Sequence, residues 1–204
     1  MFDTFKELLD RLLAVILIVS LFPLFFLISI AIKIDSKGPI IFKQSRIGKG
    51  KKVFNIYKFR TMHSTTPSQI PTHRLTEAEK YITKIGKLLR STSLDELPQI
   101  FNVILGNMSF VGPRPALWNQ EDLIKMRDEK NIHSIKPGIT GWAQVFGRDK
   151  LTIEKKVDLD FYYLRHRSIL LDFKIILKTI NVVLRKKDNI EGGTSRIGIY
   201  EDKK

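Results

Sequence analysis

At 204 residues and 23.6 kDa the chain is long enough for one domain with its own core and too short for two of ordinary size. Thirty-five Lys and Arg against twenty-one Asp and Glu leave a net charge of +14, which points to an anionic partner: a phosphate-bearing substrate, acidic lipid or nucleic acid. The absence of cysteine excludes disulfide scaffolds, thiol nucleophiles and cysteine-ligated metal centres, and His63, His73, His133 and His166 show no metal-ligand spacing.

From Leu12 to Ile32 no residue is ionisable. As a helix this run is roughly 30 Å long, the thickness of a bilayer's hydrocarbon core. It is too long for a signal peptide, no small-residue cleavage site follows it, and its entry flank is mixed in charge. Lys33, Lys37, Lys43, Arg46, Lys49, Lys51 and Lys52 follow, which places the body of the chain in the cytoplasm. Pro23 interrupts the run, at a cost of ~3 kcal/mol in an ordinary helix interior. Periodicity leaves two readings open: a kinked span, or a helix that breaks at Pro23 and returns to the same face.

Pro39–Phe42 and Val53–Phe59 flank Gly48-Lys49-Gly50 and read as a short β-hairpin; Gly-Lys-Gly alone is weak as a phosphate loop. Residues 64–73 are polar and contain Pro67 and Pro71, which predicts a loop. Helical patterning follows over residues 77–89, 97–105 and 119–131. Near the C-terminus, Ile169, Leu170, Phe173, Ile176, Leu177, Ile180, Val183 and Leu184 recur at helical spacing opposite Lys174, Lys178 and Arg185. Such a helix serves equally as a core-facing element or as one lying among lipid headgroups. The tail, residues 187–204, lacks any pattern. The elements together describe an α/β fold, mostly helical with a small β-hairpin or sheet, carrying a membrane anchor and amphipathic helices.

The most informative stretch runs from Leu89 to Gln99. Ser93 and Glu96 have capping-box spacing and Pro98 suits a first helical turn, so a helix start explains part of it. It does not explain the adjacent Asp95. A carboxylate kept ionised at a helix start is a candidate nucleophile toward phosphorus, provided cations offset its repulsion by a diphosphate, about 4 kcal/mol per unit pair at ~4 Å and an effective dielectric of 20. Glu96 is a hard oxygen ligand suited to Mg²⁺ shared with Asp95 and substrate phosphate. In Gly112-Pro113-Arg114-Pro115, Pro113 and Pro115 stiffen the chain around an arginine able to grip phosphate. Lys58, Arg60, Arg90 and Arg148 are further cations, each on its own readable as a solvated surface charge and informative only jointly.

Four ordered motifs, Lys58-Phe59-Arg60-Thr61-Met62, Ser93 to Gln99, Met108 to Pro115 and Lys136 to Gln144, resemble those of the bacterial sugar transferases, also called monotopic phosphoglycosyl transferases. The resemblance implies transfer of a phosphosugar from a nucleotide diphosphate sugar, UDP-linked, to polyprenol phosphate on the cytoplasmic face of a bacterial inner membrane, beginning a surface glycan. It implies Asp95 as the nucleophile of a covalent phosphosugar intermediate and Glu96 as a Mg²⁺ ligand. Arg90, Arg114 and Arg148 then lie near the phosphates, Lys58 and Arg60 belong to a substrate-binding motif, and Pro113, Pro115, Gly138 and Gly141 shape the site. It also implies a re-entrant anchor broken at Pro23. Residues 1–36 are then the membrane segment and 37–186 a cytosolic catalytic domain, without the extra spans of longer members. A homodimer is compatible with the family; no nucleic-acid partner is expected.

Three positions depart from the family pattern: Phe22 precedes Pro23 where Ser is usual, leaving Ser20 as the nearest hydroxyl, Asn107 replaces Asp, and Phe146 replaces Asn near Arg148. Two rival readings exist. Asp158-Leu159-Asp160 resembles a weak acid pair for a metal-dependent glycosyltransferase, and the +14 charge on a membrane tether suits a non-catalytic module for acidic lipid or nucleic acid.

Overall fold

A computed structural model describes residues 2–64, 66, 78–147 and 150–184. Most of the expected 64–73 loop, the start of the first predicted cytosolic helix at Glu77, Arg148, Arg185 and the tail lie outside the described residues.

The apolar run belongs to a single helix, α1, from Phe2 to Asp35, which by length and composition suffices to cross a membrane. Aliphatic residues without a competing polar group favour helix, and in lipid a helix satisfies its own backbone bonds. Pro23 lies inside this helix rather than between two. The Ser20 hydroxyl is spent on the Ile16 carbonyl at 2.8 Å, not on the Val19 carbonyl four residues before the proline. One stripe of α1, including Leu8, Leu12, Val19, Phe22, Phe26 and Ile34, is exposed.

Strands β1 (Ile41–Ile47) and β2 (Val53–Phe59) form the predicted hairpin, antiparallel from Ile41 opposite Phe59 to Ile47 opposite Val53. β1 runs beyond the expected Phe42 through the polar Lys43–Arg46. The Gly-Lys-Gly segment is the hairpin turn, with Gly50 at φ 61°, not a phosphate loop. A 3-10 turn at Ala78–Tyr81 precedes helix α2 (Lys84–Ser91), whose Thr83 cap accepts from Gly86 N at 3.0 Å. Helix α3 (Gln99–Ile104) and helix α4 (Glu121–Glu129) fall inside their predicted ranges.

Two three-residue strands went unforeseen: β3 (Ser109–Val111) and β4 (Gly138–Thr140), paired in parallel with Ser109 opposite Gly138 and Val111 opposite Thr140. The short α5 (Trp142–Val145), then α6 (Ile153–His166) and α7 (Ile169–Leu184), complete the body. α7 has a buried side, but most of the patterned apolar residues lie on the other one. Ile175 is buried with Val111, Ile135 and Tyr163, with Leu171 and Ile176 packed beside it, whereas Leu170, Phe173, Leu177 and Ile180 stay exposed. Lys174 and Lys178 lie over the Trp142 and Phe146 rings.

Two of the four core clusters are built against α1, between Ala14 and Ile32; the other two lie among β3, α4, α6 and α7. Ala14, Leu17, Ile18 and Leu21 pack with Ile56, Ile100, Val103 and Met108, and farther along, Leu24, Phe25, Ile28 and Ile32 pack with Phe59 and Leu89. Both ends of α1 are also tied to this body by polar contacts. Near the start, Lys6 Nζ meets Asp172 Oδ2 at 2.5 Å, Asp10 accepts from Ser109 Oγ at 2.6 Å, and Asp3 pairs with Arg167 at 2.6 Å. At the far end Asp35 Oδ2 accepts from Ile85 N at 3.0 Å.

Candidate active site

Between α2 and α3 the chain makes a 3-10 turn, Leu94–Glu96, and this turn carries the two candidate carboxylates. The capping box does not form: Ser93 is left-handed at φ 58° and makes no side-chain cap bond. Pro98, lacking an N–H, opens α3 instead. Asp95 is therefore not at the start of a long helix, so charged side chains, not a helix dipole, dominate its surroundings.

Asp95 and Glu96 are 6% and 8% exposed. β2 projects Lys58 at them, with Nζ 2.9 Å from Glu96 Oε1 and 3.8 Å from Asp95 Oδ2. Arg114 Nη2 donates to the same Glu96 Oε1 at 2.9 Å. Glu96 thus holds Lys58 and Arg114 together beside Asp95, with the Arg114 side chain 30% exposed.

Arg114 owes its place to backbone packing. Gly112 N donates to Thr140 O and Gly138 N to Pro113 O, both at 2.9 Å, which joins the Pro113-Arg114-Pro115 loop to β4. A Cβ on Gly138 would stand 2.1 Å from Gly112 N, and one on Gly141 2.1 Å from Gly112 O. The two glycines are thus required by close backbone approach. Arg46 Nη1 donates to Pro115 O at 3.1 Å, and Arg127 Nη1 to Arg114 O at 2.8 Å.

Of the other predicted cations, Arg90 stands in the last turn of α2, shortly before the Leu94–Glu96 turn. Arg60 is engaged elsewhere: buried, it donates to the Ser36 carbonyl at 2.7 Å and to the Lys37 carbonyl, closing the chain that leaves α1. Arg148 lies outside the described residues. Pro23 lies inside α1.

The Asp158-Leu159-Asp160 pair is not a metal site. Asp158 is exposed and paired with Lys130 at 2.6 Å, whereas Asp160 is buried against Arg127 at 2.6 Å. Arg127 and Arg46 were missed by sequence reasoning as parts of the site. A signal existed for the first: Arg127 is one helical turn from buried Leu123, and Asp160 three residues from buried Val157, so each charge sits on its helix's apolar face.

Asp95 and Glu96 are adjacent hard carboxylates, and among the described residues no cluster of three His, Cys, Asp or Glu exists. That donor set fits Mg²⁺, which is commonly held by one or two carboxylates and completes its shell with substrate phosphate and water.

Residues 1–186 match the family model described as bacterial sugar transferase, and the chain belongs to that family. It is 42% identical over 196 residues to a UDP-glucose:undecaprenyl-phosphate glucose-1-phosphate transferase of Xanthomonas campestris pv. campestris, covering 89% of this chain and 39% of the relative. It is 38% identical over 187 residues to a UDP-N-acetylgalactosamine-undecaprenyl-phosphate N-acetylgalactosaminephosphotransferase of Aeromonas hydrophila, covering 88% of this chain and 43% of the relative. An uncharacterized sugar transferase, EpsL, of Bacillus subtilis is 43% identical over 183 residues, covering 88% of this chain and 87% of EpsL. The chain thus spans well under half of the two relatives with named sugars and most of EpsL.

Proposed function

We infer that this chain transfers a phosphosugar from a UDP-linked sugar to undecaprenyl phosphate at the cytoplasmic face of the inner membrane, beginning a surface glycan. The observation that carries the reading is the buried Asp95–Glu96 pair with Lys58 and Arg114 gathered on Glu96. The names of the relatives supply the substrate classes.

The reaction proceeds by two displacements. An Asp95 oxygen attacks the phosphorus that bears the sugar, the bond from that phosphorus to the nucleotide's phosphate oxygen breaks, and uridine monophosphate leaves. An oxygen of the lipid phosphate then attacks the enzyme-bound phosphorus, and the acyl–phosphate bond breaks to return the Asp95 carboxylate. Lys58 and Arg114 offset the charge that accumulates when a carboxylate approaches a diphosphate. Glu96, by holding both cations, fixes where that compensation lies. Mg²⁺ held by Asp95 and Glu96 would supply further neutralisation of the diphosphate.

The anchor is re-entrant in this reading. A helix of 34 residues is about 50 Å long. If it crossed the bilayer, its first turns would lie on the face opposite the body, yet Asp3, Lys6 and Asp10 contact the α6–α7 junction, α7 and β3 while Asp35 contacts α2. Contacts at both ends with one body favour an arrangement in which α1 enters one leaflet with its exposed stripe. The exposed apolar residues of α7, beside Lys174 and Lys178, suit the headgroup zone of the same leaflet.

The test is release of uridine monophosphate from a panel of UDP-sugars with undecaprenyl phosphate and Mg²⁺. At least one sugar supports release, and Asp95→Asn lowers it by more than about 1,000-fold at unchanged folding, since a covalent route without its nucleophile retains only background catalysis. Release by Asp95→Asn equal to the parent's would overturn the assignment.

A further inference from the structure

Behind the Arg114 loop lies a charged pair buried as deeply as the apolar core: Arg127 on α4 is 4% exposed and Asp160 on α6 is 1% exposed. Asp160 Oδ2 accepts from Arg127 Nη2 at 2.6 Å and from Nε at 3.1 Å. The remaining amino group, Nη1, donates to the backbone carbonyl of Arg114 at 2.8 Å. Taking two ions out of water is costly enough that an apolar pair of similar volume often gives an equally or more stable protein. Stability alone therefore gives no reason for this pair. The third hydrogen bond does.

Residue 115 is proline, so the peptide joining it to Arg114 has no N–H, and its carbonyl is the one polar handle on that peptide plane. Arg127 grips this handle, while Arg46 Nη1 grips the next carbonyl, Pro115 O, at 3.1 Å. The side chain of the gripped residue is the one that reaches Glu96 Oε1 at 2.9 Å. A buried carboxylate on α6 thereby aligns an arginine on α4, which orients the backbone from which the Arg114 guanidinium extends.

We propose that Arg127, aligned by Asp160, is a positioning residue: it holds the Arg114 carbonyl so that the Arg114 guanidinium is aimed at Glu96 and at the donor diphosphate. The part concerning the diphosphate rests on the phosphosugar-transfer reading; the part concerning Arg114 and Glu96 does not. Misplacing a group by about 1 Å at a reacting centre costs on the order of 100-fold in rate, so the clamp has a measurable consequence.

The experiment replaces the pair by an apolar one, Arg127→Met with Asp160→Leu, which leaves no uncompensated buried charge. Three quantities are read: melting temperature, kcat and KM for uridine monophosphate release, and the Arg114 Nε–H resonance of ¹⁵N-arginine-labelled protein, assigned through Arg114→Lys. The double variant is expected to melt at or above the parent's temperature, with kcat lowered about 10- to 100-fold and donor KM changed less than about three-fold. The Arg114 resonance moves toward a solvent-exchanging position. In an Arg114→Lys background the double substitution lowers kcat by less than about two-fold more, because the group it positions is gone. Arg127→Lys, which keeps the charge and loses the fork, gives the same pattern and carries the test where the double variant does not fold. A folded variant with an unmoved Arg114 resonance and kcat within about two-fold of the parent overturns the inference. If the parent itself releases no monophosphate, the functional reading falls, and the Arg114 resonance still decides the positioning claim.

Discussion

Tyr163 on α6 shows how much a single hydroxyl carries in this chain. Its one proton is shared between Asp172 Oδ1 at 2.8 Å and Val111 O at 3.1 Å, and so joins α6, α7 and β3. Burial, reinforced by the Asp172 carboxylate, pushes its ionisation well above the ordinary tyrosine value of 10.0. In the unfolded chain the phenol ionises at about 10, whereas in the native state it keeps its proton. Its stabilising contribution is therefore complete below about pH 10 and lost as pH rises further. Tyr163→Phe is expected to destabilise the protein by about 1–3 kcal/mol at neutral pH, with Asp172 left short of a donor. The gap between parent and variant should narrow as pH rises above about 10. Urea unfolding of both proteins at about pH 8 and about pH 11 checks this, and a gap of constant size would refute it.

At the scale of elements, the decisive feature is the pairing of β3 with β4, which brings the Arg114 loop against Gly138 and Gly141. Gly138→Ala would place a methyl 2.1 Å from Gly112 N and 2.4 Å from Thr140 O, backbone atoms that cannot rotate away. The expected cost is about 1–3 kcal/mol or more, with a fall in monophosphate release because the loop carrying Arg114 must shift. Urea midpoints together with turnover of the folded fraction measure both effects; a fully active, equally stable variant would show that the glycine is not needed there. This pairing was hidden in the sequence, because three-residue strands are too short to display alternation and Pro137-Gly138 reads as a turn. The hairpin, α4 and α7 were legible, since their periods extend over enough residues, whereas α6 had no range assigned to it. The polar Lys43–Arg46 stretch hid the second half of β1, a strand in which every residue but Lys43 is half-buried, with no alternation of buried and exposed positions. Lys58 and Arg60 share a strand parity in the sequence, but β2 ends at Phe59, so Lys58 faces the carboxylates and Arg60 turns to the end of α1. Asp95 and Glu96 were legible as an acidic pair; the left-handed Ser93 that presents them was not.

For the molecule as a whole, α1 is a core element that is also long and apolar enough to cross a membrane: one side packs with β2, α2 and α3, and the other is an exposed apolar stripe. Because the chain has no cysteine, Thr4→Cys introduces a unique label at the start of α1. With α1 entering and leaving by one face, this thiol is expected to resist a membrane-impermeant maleimide added to intact spheroplasts and to react after lysis. Labelling from outside intact cells would contradict the arrangement. The most direct measurement, however, concerns the acyl–phosphate bond: the protein is mixed with its donor sugar in the absence of lipid phosphate, quenched in acid, and digested for mass spectrometry. A phosphosugar on the peptide containing Asp95, discharged when undecaprenyl phosphate is added before quenching, is the predicted result; steady turnover with that peptide unmodified would contradict the two-displacement account.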